Sequence, residues 1–225
     1  MESLRGRCRI VTVILIVILA LSPVGALAEV SLLHYLYGIS SGQPVDDARA
    51  ARIDIGGGIV GILQLCAFLG CAVAFLVWFH RAHKNLQAGV DHLRYTPAWA
   101  VGGFFVPFLN LVRPFQVMRE IWGCSSHLPS HRKDGFRRVV SPSPLVGWWW
   151  GLYLSSAFVG QAAGRLTLRA DELGEFIVAG WFGLASNLLD IPATLFAFLL
   201  VRRVTELKEG PLVDLKNELR RAGPE

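Results

Sequence analysis

Residues 55–79 form a run of 25 without a charged side chain. At 1.5 Å per residue, such a run as a helix exceeds the ~30 Å apolar thickness of a bilayer, so it predicts a membrane span. Residues 10–28 and 145–164 are also uncharged, and residues 176–201 carry only Asp190. The mean hydropathy is +0.46 and only 17% of residues are charged, which excludes an ordinary soluble domain. The expected fold class is all-α, an integral membrane helical bundle. It has four transmembrane helices plus a re-entrant or interfacial helical element.

The first run follows Arg5, Arg7 and Arg9 and ends in Ala26-Leu27-Ala28, so it fits either a secretory leader or a retained first helix. Apolar residues resume at Val30, Leu32 and Leu33, which favours retention. Residues 40–54 read as a polar external loop. Residues 1–54 are therefore expected to be a membrane helix and loop, 55–207 the membrane domain, and 208–225 a charged cytoplasmic tail. Within that tail Gly210-Pro211 predicts a break before a short surface helix carrying Leu212, Leu215 and Leu219.

Small residues mark two candidate packing faces. Gly57 and Gly61 form a G-x-x-x-G pair, and Gly147, Gly151 and Ser155 repeat every four residues. Either could serve a homo-oligomer or a membrane-protein partner. Trp148, Trp149 and Trp150 at the start of one run predict an interfacial aromatic belt. Cys66 and Cys71 lie inside an apolar run, which predicts reduced thiols and no disulfide framework.

Residues 78–122 are dense in aromatics and arginines, with Pro97, Pro107 and Pro114 among them. Residues 95–112 have no charge and are long enough to cross. If they crossed, 8 basic residues would lie inside and 14 outside; if they enter and return, 18 lie inside and 4 outside. Cytoplasmic loops carry the lysine and arginine excess, so the second arrangement is expected, with both termini cytoplasmic. Gly102, Gly103 and Asn110 add to the helix-breaking content, and Pro114 is expected to start an interfacial helix. Phe115, Met118 and Trp122 would fall on one side of it.

Asp190 lies near the centre of the last run, where an ionisable group costs ~2.5–3.5 kcal/mol on insertion scales and so invites a functional reading. Asn187 lies one turn earlier; together they form a candidate intramembrane polar site. Gln64, Gln161 and Asn110 are its candidate partners. His80, His83, Cys124, His127 and His131 have spacings that permit zinc chelation, but no C-x2-C pair accompanies them. No H-E-x-x-H, P-loop, G-x-S-x-G or Rossmann pattern is present, so neither an enzyme nor a cofactor is expected. The basic residues flank apolar runs instead of forming one patch, so no nucleic-acid partner is expected either.

Three segments, FLVWFHRAHKNL, LRYTPAWAVGGFFVPFLNLVRPFQVMREIW and LVGWWWGLYL, resemble the bacterial membrane family called domain of unknown function 4328. The likeness runs from about residue 67 to 207. In the first segment it rests on Trp78, Arg81 and Asn85. Leu93, Arg94, Pro97, Trp99, Ala100, Val101 and Gly102 carry it in the next, followed by Pro107, Asn110, Leu111, Arg113 and Pro114. Gln116, Arg119, Glu120 and Trp122 complete it. The resemblance implies a multi-pass protein of a bacterial plasma membrane with a span before the motif, and it carries no assigned activity. The family commonly has tyrosine where this chain has His80 and His83, which argues against zinc.

The expected function is non-enzymatic: a membrane protein presenting the aromatic and arginine element at the cytoplasmic face. Its partners would be membrane lipids, anionic headgroups in particular, or another protein. The alternative is a small transporter or channel that uses residues 95–112 and Asp190.

Overall fold

The computed structural model describes residues 4–87, 94–125 and 144–222. These form six helices: α1 (Arg5–Ser40), α2 (Asp47–Gln87), α3 (Pro97–Gly102), α4 (Leu109–Ser125), α5 (Pro144–Thr167) and α6 (Leu173–Ala222). The fold is all-α, with no strand among the described residues.

Three helices are long and apolar enough to cross a membrane: α1, α2 and residues Leu173–Leu207 of α6. That corrects the expected count of four. At 24 residues α5 is long enough, but the polar groups of Ser155, Ser156 and Gln161 fall within it and it is not among the three. Nor does the tryptophan cluster form a uniform belt. Trp149 and Trp150 are buried, and only Trp148 is exposed. Beside Gly147 and Gly151, and beside Gly57 and Gly61, no neighbouring atom lies within 4 Å of where a Cβ would stand. Among the described residues, therefore, no other helix fills either small-residue face at these glycines.

Helix ends differ from expectation where caps and chain context outweigh loop-like composition. Residues 47–54 are helical, not loop, which leaves only 41–46 between α1 and α2. The Asp46 carboxylate accepts the Arg49 amide at 3.0 Å, and Asp47 adds negative charge to the first turn. Gly42 makes the turn with a φ of +90°, a conformation that costs glycine nothing. α1 passes through Pro23 and the Ala26-Leu27-Ala28 segment without a break. α6 likewise continues through Pro192 and through Gly210-Pro211, so the expected break in the tail is absent. A proline forfeits one backbone bond, and a helix extended on both sides can absorb that by bending. The side chains of Leu212, Leu215 and Leu219 lie outside the described residues.

The chain divides into two compact units. The first comprises Met1–Thr12, Ala72–Gly147 and Phe198–Glu225; the second comprises Val13–Cys71 and Trp148–Ala197.

In the first unit the fully buried side chains come from several helices: Trp78 and Phe79 from α2, Met118 and Ile121 from α4, and Leu200 and Val204 from α6. The Phe79 ring meets Phe104 edge-on at 5.5 Å between centroids. A buried indole must satisfy its N–H, and Trp78 Nε1 donates to Thr205 Oγ1 at 3.1 Å. The Thr205 hydroxyl in turn donates to the Val201 carbonyl at 2.8 Å.

In the second unit α1 and α6 approach closely through glycine. A Cβ on Gly180 would stand 2.9 Å from Leu33 Cδ2. Trp181 Nε1 donates to the Tyr37 hydroxyl at 3.1 Å, which ties the same two helices together.

Trp78→Ala is expected to destabilise the protein by ~3–5 kcal/mol, the usual cost of removing a buried aromatic. A double-mutant cycle of Trp78→Phe with Thr205→Val, read by thermal unfolding in detergent, should show a coupling of ~0.5–1.5 kcal/mol. Strict additivity would show that the indole bond contributes nothing.

Candidate functional site: the aromatic and arginine hairpin

The motif of residues 78–122 folds around one tyrosine. Thr96 caps α3 by accepting the Trp99 amide at 3.4 Å, and Pro97 occupies the first turn, where its missing N–H is harmless. α3 is only 6 residues long, and turns occupy 103–108. Residues 95–112 thus contain no continuous helix that could cross. The chain reverses, and α3 packs on α4.

Tyr95, just ahead of α3, is held from three directions. Its hydroxyl donates to Gln116 Oε1 at 2.7 Å. The Arg113 guanidinium lies 4.5 Å from the ring centroid and that of Arg94 lies 5.6 Å away. Beside it, the Arg94 amide donates to Glu120 Oε1 at 2.8 Å. The other Glu120 oxygen lies 3.5 Å from Nε2 of the fully buried His83, close enough for an ion pair if the imidazole is protonated. Gly103 makes the close packing possible, since a Cβ there would meet Arg113 Cβ at 2.8 Å.

Pro114 does not start the helix as expected. α4 begins at Leu109, so Pro114 lies inside it and leaves the Asn110 carbonyl without its usual donor. The Phe108 φ of 63° supplies the sharp reversal into α4. Met118 is buried and Trp122 is half-buried, so they do not form an exposed interfacial stripe with Phe115.

Most motif residues are therefore structural. Trp78 and Pro114 are buried, and Arg81, Asn85, Pro97, Arg113, Gln116, Glu120 and Trp122 are half-buried. What the hairpin exposes is its turn and one flank: Trp99 at 53%, Phe105 at 72% and Phe108 at 83%, with Pro107 and Asn110 beside them. Arg119 is also exposed, its guanidinium 5.5 Å from the Phe115 ring centroid.

Of the zinc candidates, His83 is buried with Nε2 3.5 Å from Glu120, while His127, His131 and the Cys124 side chain lie outside the described residues. Among the described residues no three His, Cys, Asp or Glu side chains converge on a metal-sized site.

The polar residues of α6 find partners on two helices of the second unit. Gln64 Nε2 donates to Asn187 Oδ1 at 2.8 Å, and the Ser156 hydroxyl donates to Asp190 Oδ1. Asn187 takes Gln64, one of the partners expected for Asp190. Ser156 was not anticipated; its only signal was its place beside Ser155 on a helix otherwise read for its glycines.

Among the described residues the fold is thus helical, with three helices apolar enough to cross a membrane and a proline-broken hairpin. The chain belongs to the family described as Domain of unknown function (DUF4328), whose model matches residues 41–206. The matched region starts after α1 and takes in all of α2, so it begins earlier than the likeness expected from residue 67 and omits the first helix. No curated protein and no solved structure matches the chain.

Tyr95→Phe is expected to lower stability by ~1 kcal/mol through loss of the Gln116 bond, and Gly103→Ala by ~1–3 kcal/mol through overpacking against Arg113. Thermal unfolding measures both, and an unchanged Tm for Gly103→Ala would refute the close approach.

Proposed function

We propose that this is a non-enzymatic integral membrane protein that seats the turn of its α3–α4 hairpin in a lipid interface. Anionic headgroups are held there by the exposed Arg119, with Arg113 roughly one to two turns earlier on α4 as a second basic residue. The observation that carries the reading is the exposure of the large aromatic side chains of Trp99, Phe105 and Phe108 at the turn and flank of the hairpin. Aromatic side chains at the headgroup level are favourable, and each basic residue near an anionic leaflet adds ~1 kcal/mol of attraction.

In this reading the hairpin faces the cytoplasm of a bacterial cell, the side on which basic residues near span ends collect.

The test places a nitroxide at Phe105→Cys in a background lacking the four native cysteines. In anionic vesicles its collisions with oxygen should exceed those with a water-soluble nickel chelate. Arg119→Ala should reduce the anionic lipid that co-purifies. A label that collides mainly with nickel, or a variant with its full lipid complement, sinks the proposal.

A second reading, transport, draws support from the Gln64–Asn187 and Ser156–Asp190 bonds inside spanning-length helices. Residues 95–112 and Asp190 belong to different compact units, so this reading rests on the polar residues alone. It predicts that Asp190→Asn abolishes a proton flux in proteoliposomes at unchanged protein level. An unaffected flux removes it.

A further inference from the structure

The second unit contains a cavity of about 360 Å³, within the size range of small-molecule sites. It is lined by the second half of α1, the first turns of α2, the end of α5 and the start of α6. Its walls are made largely of glycine and alanine, and five polar residues face it: Glu29, Asp54, Gln64, Thr167 and Asn187. No lysine, arginine or histidine is among them.

Hydrogen-bond bookkeeping decides what such a cavity can hold. The Thr167 hydroxyl donates to the Ala163 carbonyl at 3.0 Å. Gln64 Nε2 donates to Asn187 Oδ1 at 2.8 Å and to the Leu21 carbonyl at 3.4 Å. Asn187 Nδ2 donates to the Gly183 carbonyl at 3.0 Å. The side-chain donors are thus largely committed to protein acceptors.

The acceptors are not. Glu29 is half-buried in the body of a spanning-length helix, and its carboxylate has no hydrogen-bond or ion-pair partner among the described residues. It is seated on glycine, since a Cβ at Gly183 would stand 2.5 Å from Glu29 Oε1. Gly25 makes the same allowance for the Gln64–Asn187 amide pair at the other side. Asp54 adds a second carboxylate at an exposed position, where a ligand could enter.

We infer that this cavity is a binding site for a small organic cation that donates hydrogen bonds, an ammonium or a guanidinium. Glu29 is the principal counter-charge and Asp54 the second. A lining of acceptors without a cationic side chain calls for a positively charged donor. Among the described residues no three carboxylate, imidazole or thiol side chains converge as a metal site would require, and the space is far larger than a bare ion fills.

The test uses the full chain purified in detergent, with n-butylammonium and methylguanidinium as probes and n-butanol as the neutral match. All are titrated at constant ionic strength while the Tm is followed. Both cations should give a saturable, concentration-dependent rise in Tm, and butanol should give none. Glu29→Gln should weaken n-butylammonium by about tenfold or more, the effect of losing one charge-assisted contact. Asp54→Asn should weaken it less and, as an exposed position, carries the test if Glu29→Gln does not fold. An equal rise with butanol would show an apolar cavity only. Undiminished binding by Glu29→Gln, or by Asp54→Asn where that variant stands in, overturns the assignment. A rise with calcium chloride and none with either organic cation overturns it as well.

Discussion

An indole N–H buried away from water must find an acceptor, and the Trp78–Thr205 bond fixes the end of α2 against α6 within the first unit. The rest of that unit follows from this placement. His83 lies five residues further along α2, where its fully buried imidazole faces Glu120. Glu120 holds the Arg94 backbone with its other oxygen, and Tyr95 follows directly. Glu120 and the Tyr95–Arg113 contact are thus spent on folding the hairpin, while its aromatic turn and Arg119 remain exposed.

The membrane runs were the legible part of the sequence, because absence of charge over 20 or more residues has one dominant physical meaning. The broken character of residues 95–112 was also legible, from prolines, glycines and the distribution of basic side chains. The helix boundaries were not. Asp46 and Asp47 read as loop residues, yet they are a cap and a first-turn acid, and both roles are consistent with that composition. α5 shows the converse problem. Its lack of charge suggested a span, while α5 is not among the helices apolar enough over a membrane-spanning length, as α1, α2 and α6 are.

The polar residues of α6 show why a site is harder to read than a span. Asn187 and Asp190 are three residues apart, yet their side chains meet different helices, Gln64 of α2 and Ser156 of α5. Spacing on one helix says which residues share a face, but not which neighbour meets them. In the sequence Glu29 is marked only by its place directly after Ala26-Leu27-Ala28. Its relation to Gly183 and to a cavity depends on a helix about 150 positions later in the chain, which no local pattern contains.

Phe108 takes a left-handed backbone conformation that is a genuine outlier for a bulky residue and natural for glycine. It does so at a position where its ring is 83% exposed and gains almost nothing from packing within the chain. The turn is therefore not composed for ease of folding. Replacing Phe108 by glycine would relieve that strain and remove only an exposed ring, so the course of the turn does not depend on this side chain.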